Sequence, residues 1–320
     1  MRWTMLAGLG LLVIGGLGAL YVMLEGETPD TGPRVTVPLP PLRSTPALLL
    51  PAPDPGMVEN SNDGPLPKIG RDGHQSWQVY ARGFDANDKR PRVALVMTGL
   101  GLDRALSQTA MDRLAGAVTL GFDPYTPDLK EAMNQARSLG HEVLLGLPLE
   151  PLDYPRQDPG PLTLLVSLGD AVNGARLNKV MAAGVGYVGL VALWGERFTS
   201  EKSALLPMLE TLKQRGLMYV DNKPPSDNAT VSLASQLRLP WAAAIRALDI
   251  DAEPAAIDQA LGELETVAKR DGATLGIAAL SPASVDRVAA WTATLEAKGI
   301  ALAPASAVAN RQAIPRTAMP

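Results

Sequence analysis

The chain has 320 residues, 46% of them hydrophobic and 19% charged, which suffices for one folded domain with a sizeable core. A net charge of −4 without long runs of like charge argues against nucleic acid as a partner. The chain has no cysteine, which excludes disulfides and thiolate metal ligands, and its two histidines offer little to a histidine-based metal site.

The first predicted element is a membrane-spanning helix over residues 3–24. The stretch carries no charge and is long enough to cross a bilayer, which takes about 20 helical residues. Because it lacks a clear small-residue cleavage site, an uncleaved anchor over residues 1–25 is favoured over a cleavable signal peptide. Arg2 precedes the stretch, and positive charges beside a span stay in the cytoplasm. The sequence therefore predicts a single-pass inner-membrane protein whose C-terminal domain lies in the periplasm.

Residues 26–90 are predicted to form a disordered, proline-rich stalk. Twelve prolines fall between Pro29 and Pro91, and no helical or strand period is sustained there. Proline fixes φ and removes an N–H donor, so such a segment favours an extended chain without backbone ladders. Only the run 77–84 suggests a short strand or a latch on the folded domain.

From residue 92 onward, short apolar runs alternate with segments of helical period. Six near-continuous apolar runs are typical of strands buried on both faces: 93–97, 117–122, 142–146, 186–190, 217–220 and 274–279. Between them apolar residues recur every three or four positions, as at Leu205, Leu209 and Leu212, which predicts helices with one buried stripe. The alternation predicts an α/β fold over residues 91–310, a distorted (β/α) barrel of about seven parallel strands, with a flexible tail over 311–320. A doubly wound open sheet is the alternative.

The ends of the predicted strands are the place to look for function, because functional groups of parallel α/β folds collect at the C-terminal ends of the strands. The residues predicted there form a mostly apolar rim: Thr98, Gly99, Asp123, Gly146, Leu147, Leu193, Trp194, Asp221, Asn222, Ala279 and Leu280.

Five segments of the predicted domain form an ordered motif series: VMTGLGL (96–102), GHEVLLGLPLEP (140–151), DPGP (158–161), GERFT (195–199) and GLMYVD (216–221). In order and spacing this series resembles the divergent polysaccharide deacetylase family, across about residues 92–305. The resemblance implies a distorted barrel that binds a divalent metal such as zinc. In the family's mechanism that metal polarises an acetamide carbonyl and activates water, while an aspartate takes a proton.

The chain departs from the family pattern where the chemistry lies. Thr98 and Gly99 stand in place of two motif aspartates, and Gly146, Leu193 and Ala279 stand in place of three histidines. The side chains of glycine, leucine and alanine cannot donate a lone pair to a metal. The resemblance therefore implies that the ancestral metal has been lost and that no cofactor replaces it.

Some polar and aromatic side chains of the rim remain as candidates. Glu150, Asp221 and Asp249 are weak candidates for catalysis, and each has a structural alternative as a loop anchor, a turn cap or a helix cap. Glu150, Asp221 and Trp194 are candidate ligand contacts, because a carboxylate can bind sugar hydroxyls and an indole offers an apolar face to a sugar ring. Trp194 is equally compatible with a plug that fills the former metal site. His141 starts a strand, away from the rim, which favours a structural role.

The sequence thus predicts a membrane-anchored envelope protein whose deacetylase-like domain is catalytically degenerate and binds glycan or an envelope protein. The second hypothesis is an active carbohydrate or peptidoglycan hydrolase, rebuilt around the three candidate carboxylates, which requires them to converge in one cleft. The third is an assembly scaffold with an exposed apolar patch.

Overall fold

A computed structural model describes residues 49–224, 229–248 and 253–313. The predicted membrane helix over 3–24, the start of the predicted stalk, Asp249 and most of the predicted tail lie outside these residues. Within the three described ranges, no helix is both long and apolar enough to span a bilayer.

Residues 49–91, which we call the strap, pack against the barrel instead of forming a stalk. They contain an antiparallel hairpin of β1 (Val58–Ser61) and β2 (Gly64–Pro67), then a short helix α1 (Ser76–Val79). The Arg137 guanidinium fixes the strap, because it donates hydrogen bonds to the carbonyl oxygens of Leu50 (2.7 Å) and Tyr80 (3.1 Å). The predicted stalk over 26–90 is therefore wrong for residues 49–90, and the latch expected at 77–84 is part of the strap.

A curled parallel sheet forms the centre of the domain. Its strands are β3 (Arg92–Leu100), β4 (Thr119–Phe122), β5 (Val143–Leu149), β6 (Gly189–Trp194), β7 (Met218–Asp221), β8 (Trp241–Ala243), β9 (Arg246–Ala247), β10 (Ala273–Ala279) and β11 (Ala301–Ala303). The spatial order is β8-β7-β6-β5-β4-β3-β10-β9, and β11 pairs with the start of β3. All six predicted strands are present, and β8, β9 and β11 are additional.

The two ends of this order meet in one short segment of chain, because β8 and β9 are consecutive. The Ala244 N–H donates to the carbonyl of Asp221 at the end of β7, and the Ile245 N–H donates to the carbonyl of Leu275 in β10, both at 2.9 Å. Residues 241–248 therefore join the two edges of the sheet. The prediction of a distorted (β/α) barrel is confirmed over that of an open sheet.

Helices alternate with the strands. In the described part of the chain they are α2 (Arg104–Arg113), α3 (Leu129–Ser138), α4 (Asp170–Ala182), α5 (Lys202–Gln214), α6 (Ala229–Leu237), α7 (Pro254–Asp271), α8 (Pro282–Thr292) and α9 (Ala305–Val308). Of these, α2 to α8 pack outside the sheet, and α9 packs on its concave side. Two of them start with a side-chain cap: the Asp103 carboxylate accepts the Leu106 N–H at the start of α2, and the Ser281 hydroxyl accepts the Ser284 N–H at the start of α8.

Alternate strand residues enter two separate buried clusters. One cluster also holds the buried stripes of the helices, so it is the layer between sheet and helices; Leu95, Leu145 and Leu190 belong to it. The other combines α9 with an inner row of strand residues on the concave side: Ala94, Val96, Leu144, Val191, Val220 and Leu275. Because side chains alternate along a strand, the inner row continues at Thr98, Gly146 and Leu193.

Candidate ligand-binding mouth of the barrel

The C-terminal ends of the strands form the mouth of the barrel, which we define by Thr98, Asp123, Gly146, Leu193 and Ala279. Thr98 lies opposite Ala279 in the register of β3 and β10, while Gly146 and Leu193 lie on the neighbouring strands β5 and β6. Four of the five degenerate motif positions thus come together in the mouth. The fifth, Gly99, follows Thr98 in β3, at the point where the register with β4 shifts between Thr98 and Leu100.

Leu193 occupies the space in front of Gly146. A Cβ atom added at Gly146 would lie 2.6 Å from the Leu193 Cδ1 atom and 3.1 Å from its Cγ atom, far closer than van der Waals contact allows. A side chain at position 146 would therefore require Leu193 to move, and the Phe122 carbonyl oxygen would also lie close, at 3.1 Å from the added Cβ. The two substitutions complement each other, since glycine leaves the space that leucine fills with hydrocarbon.

Thr98 and Gly99, which stand in place of the two motif aspartates, each fit their local structure. Thr98 is buried, and its hydroxyl donates to the carbonyl oxygen of Ala278 at 3.4 Å. Gly99 has φ of 82°, in the left-handed region that favours glycine over residues with a side chain. An aspartate at position 99 would therefore be strained in this backbone.

The residues of the mouth do not fit a divalent metal. Gly146, Leu193 and Ala279, like Gly99 beside them, offer no side-chain donor, and the hydroxyl of Thr98 is directed to a backbone carbonyl. Asp123 is the one carboxylate among the residues that define the mouth, whereas a metal site needs at least three converging ligands. In the three described ranges as a whole, no group of three or more His, Cys, Asp and Glu side chains is arranged to hold a metal ion.

Glu150 follows β5 and is buried, with both carboxylate oxygens engaged. Oε2 accepts the Val166 N–H at 2.5 Å, and Oε1 forms an ion pair with Arg197 Nε at 3.0 Å. The backbone carbonyl of Glu150 also accepts the N–H groups of Arg197 and Phe198, each at 3.2 Å. These contacts tie the loop after β5 to the turn after β6, which is the arrangement of a loop anchor.

Asp221 ends β7 and is almost fully buried, in the row of residues that faces the helices. Its Oδ1 atom accepts the Lys223 N–H at 3.1 Å, as in a turn cap. The Lys223 ammonium donates to the Glu196 carbonyl (3.0 Å) and the Thr199 hydroxyl (2.7 Å), and burial lowers the pKa of Lys223 while Asp221 opposes this shift. Because Asp249 lies outside the described residues, convergence of the three candidate carboxylates stays a prediction.

Trp194 ends β6 at the edge of the mouth and is 37% exposed. Its φ of 57° lies in the left-handed region, where a bulky residue costs about 1–2 kcal/mol. The Asn222 amide donates to the Trp194 carbonyl at 2.8 Å. With the Gln157 amide oriented to satisfy both partners, its oxygen accepts the indole N–H at 2.6 Å and its nitrogen donates to Asp153.

Asp123 is an acidic group of the mouth that the sequence placed in the rim but did not single out. It follows β4, is 6% exposed, and its Oδ1 atom accepts the Tyr125 N–H at 2.9 Å. Burial raises the pKa of this carboxyl, and the Tyr125 hydrogen bond opposes the shift. No sequence signal distinguishes Asp123 from the exposed aspartates, because its burial depends on the packing of the mouth.

A cavity of about 300 Å³ lies beside the mouth, between α2 and α3. Met111, Phe122 and Ala132 contribute its apolar lining, and Arg104 and Glu131 contribute charges. None of the candidate residues predicted from sequence lines it, so the predicted site and this cavity are different places.

The opposite end of the barrel, which we call the base, is defined by Thr119, His141, Glu142 and α9. His141 is buried, and its two ring nitrogens lie 2.9 Å from the Val118 carbonyl and 3.1 Å from the Met111 carbonyl. This position joins α2 to the turn before β4, far along β5 from the mouth. The geometry is that of a structural histidine.

Comparison with known proteins identifies the family. The family model described as divergent polysaccharide deacetylase matches residues 95–309, which is most of the barrel. The chain belongs to the divergent polysaccharide deacetylase family. The resemblance inferred from the motif series is thereby confirmed for the domain as a whole. No curated protein is significantly similar to the chain in sequence.

The chain is also similar to solved structures. The crystal structure of an uncharacterized protein from Agrobacterium tumefaciens is 36% identical, covers 77% of this chain and 99% of its own, and superposes with a TM-score of 0.74. A putative cellobiose-phosphate cleavage protein from Enterococcus faecalis is 16% identical, covers 69% of this chain and 99% of its own, and has a TM-score of 0.48. The catalytic domain of a peptidoglycan N-acetylglucosamine deacetylase from Eubacterium rectale is 12% identical, covers 72% of this chain and 96% of its own, and has a TM-score of 0.45. At these identities the last two say nothing about activity.

Proposed function

We propose that this divergent polysaccharide deacetylase-like domain binds a cell-envelope glycan across its mouth without metal-dependent deacetylation. The observation that carries the proposal is the filling of the space before Gly146 by Leu193. Family membership makes a polysaccharide the expected ligand class, and the hydrocarbon in the mouth removes the place where a metal and an acetamide group would meet. The ligand therefore lies over the mouth instead of entering it.

The size of the catalytic loss supports a binding role over a slow enzyme. Loss of a general base alone costs about 10²–10⁴-fold in rate. Loss of a metal that polarises the carbonyl removes several kcal/mol more of transition-state stabilisation. Because the donor side chains for both functions are absent at Thr98, Gly99, Gly146 and Leu193, residual deacetylation by the family route is negligible.

Binding is tested with the full-length protein in detergent, sedimented with purified peptidoglycan sacculi. We expect the protein to sediment with the sacculi in a saturable way. Two matched variants localise the contact: Leu152→Ser, on the loop after β5 beside the mouth, weakens binding, whereas Leu50→Ser, in the strap, leaves it unchanged; both side chains are exposed. Failure to bind sacculi or any other envelope glycan would contradict the proposal.

Catalysis is tested on the same preparation by metal analysis and by acetate release from an N-acetylglucosamine pentamer. We expect less than one zinc per ten chains and no acetate above the level of a buffer control. One zinc per chain together with turnover would contradict the proposed loss of catalysis.

The proposal includes anchoring of the chain in the inner membrane through residues 3–24, with the domain in the periplasm. The uncharged stretch behind Arg2 supports it. We expect the protein to resist alkaline extraction from membranes, and deletion of residues 2–25 to release it. Protease added to intact spheroplasts should digest the domain; protection from protease would contradict the periplasmic location.

A further inference from the structure

Two neighbouring residues at the edge of the mouth, Trp194 and Asn222, each carry a local free-energy cost. Trp194 is a bulky residue with φ of 57°, a conformation that side chains rarely adopt. Asn222, which holds the Trp194 carbonyl through its amide N–H, keeps its own Oδ1 atom buried without a hydrogen-bond partner in the described part of the chain. Such costs persist where the surrounding structure enforces them, and they cluster at binding and catalytic sites.

Both costs serve to fix one indole ring. The turn Trp194-Gly195 has two successive positive φ values, 57° and 102°, and a Cβ added at Gly195 would lie 2.7 Å from the Leu149 Cβ atom, so glycine is needed there. On the other side of the ring, Gln157 accepts the indole N–H, and Asp153 in turn accepts from Gln157. The ring is thus held at both its backbone and its polar edge while 37% of the residue stays exposed.

We propose that Trp194 is a preorganised platform on which one pyranose ring of the glycan stacks, with Asn222 and Gln157 as its positioning residues. The inference rests on the proposed glycan binding and adds the contact that carries it. An indole whose N–H is already bonded presents an apolar face, which matches the C–H face of a sugar ring. Polar residues adjoin this turn, since Glu196 and Arg197 follow it in the chain and the Asn222 amide contacts the Trp194 carbonyl, which suits a ligand with hydroxyl groups better than an apolar protein surface.

Fixing the ring in advance also explains why the strain is tolerated. A platform that is ordered before binding loses little side-chain entropy when the sugar arrives, so the cost is met in the folding of the free protein. A ring that served only to fill space would need neither exposure nor a left-handed backbone.

The test compares the full-length protein with Trp194→Asn, using an N-acetylglucosamine pentamer as the probe and tryptophan fluorescence as the signal. Asparagine tolerates the left-handed region, so this variant keeps the backbone and removes only the ring. We expect an affinity at least roughly tenfold weaker, loss of the fluorescence change on binding, and a melting temperature equal to or above that of the natural protein. Trp77→Phe, in α1 of the strap, is the matched control and should leave affinity and signal unchanged.

A second measurement covers the case in which Trp194→Asn fails to fold. Among the described tryptophans, Trp194 is the most exposed, at 37%. Trp77 is half-buried, Trp291 is 8% exposed and Trp241 is 4% exposed. In the natural protein, saturating pentamer should protect tryptophan fluorescence from iodide quenching. Absence of protection, or pentamer binding by Trp194→Asn as tight as in the natural protein, would overturn the platform while glycan binding stands. A natural protein that binds neither pentamer nor sacculi would overturn both.

Discussion

The base and the mouth of the barrel differ in how their polar groups are satisfied. At the base, the buried Glu142 carboxylate accepts four hydrogen bonds: from the Thr119 hydroxyl (3.2 Å), the Arg82 N–H (3.1 Å), the Ser306 N–H (3.0 Å) and the Ser306 hydroxyl. At the mouth, the Asn222 Oδ1 atom has no hydrogen-bond partner among the described residues, and Trp194 has a left-handed backbone. The Glu142 cluster at the base therefore contributes stability, whereas the turn at Trp194 carries a conformational cost.

The largest expected effect on stability, and the strongest test of this comparison, is the removal of the Glu142 side chain. Glu142→Ala leaves buried donors from Thr119, Ser306 and Arg82 without an acceptor, and we expect a loss of about 4 kcal/mol in the free energy of unfolding. Urea denaturation followed by circular dichroism measures it. Glu131→Ala, at a surface position of α3, is the control and should change stability by less than about 0.5 kcal/mol. A loss below about 1 kcal/mol for Glu142→Ala would show that the base is not the stable end.

The second prediction concerns the strap. Arg137 is buried and donates to the carbonyls of Leu50, Tyr80 and Gly186. Arg137→Met should therefore lower the free energy of unfolding by about 2–3 kcal/mol and increase local opening of the strap more than that of the barrel. Hydrogen exchange should accelerate at amides of residues 50–82 more than at amides of β5 or β6. Arg104→Met, in α2, is the matched control. Uniform acceleration across the domain would instead mean that the strap and barrel unfold as one unit.

The third prediction tests whether the Leu193 side chain fills the space beside Gly146 in the mouth. Gly146→His places a side chain where Leu193 lies, and this overpacking should lower the free energy of unfolding by about 2 kcal/mol. The double variant Gly146→His with Leu193→Ala should recover most of this cost, a coupling that a double-mutant cycle measures. Additive effects of the two substitutions would show that the side chains at these positions do not compete for space.

The barrel was predictable because its strands leave a strong local signal. Buried parallel strands read as continuous apolar runs, and all six predicted runs became strands. The strands β8 and β9 were missed because the run Trp241-Ala-Ala-Ala-Ile-Arg-Ala-Leu248 is rich in alanine, which is typical of helices, and its extended backbone depends on hydrogen bonds to β7 and β10.

The strap was missed for a different physical reason. Its prolines argue against a ladder in general, but Pro65 and Pro67 lie on an edge strand, where a missing N–H is tolerated. What orders the strap is Arg137, more than 50 residues away in sequence from most of its partners, and contacts at that separation leave no local pattern.

The candidate site was predictable in part. Comparison with the family pattern located Thr98, Gly146, Leu193 and Ala279, and strand ends located Trp194 and Asp221. Three features of the site could not be predicted: the close approach of Gly146 and Leu193, the left-handed backbone of Trp194 and the burial of Asp123. They depend on which strands are neighbours in the sheet, and a single sequence does not show this.

The last and smallest effect is the dependence of the free energy of unfolding on pH that Asp123 contributes at the mouth. Burial raises the pKa of Asp123 above its unfolded value, so its neutral form is favoured in the folded protein. The associated stabilisation is complete below the unfolded pKa and is lost as the pH rises through the raised folded pKa. Asp123→Asn keeps an acceptor for the Tyr125 N–H but does not titrate, so the variant should gain stability relative to the natural protein between about pH 4 and pH 7. Urea midpoints measured across that range test it, and Asp128→Asn, in the next turn, is the control. A gain that grows as the pH falls would mean that the mouth stabilises the charged carboxylate, which would place a bound cation or an unrecognised donor beside Asp123.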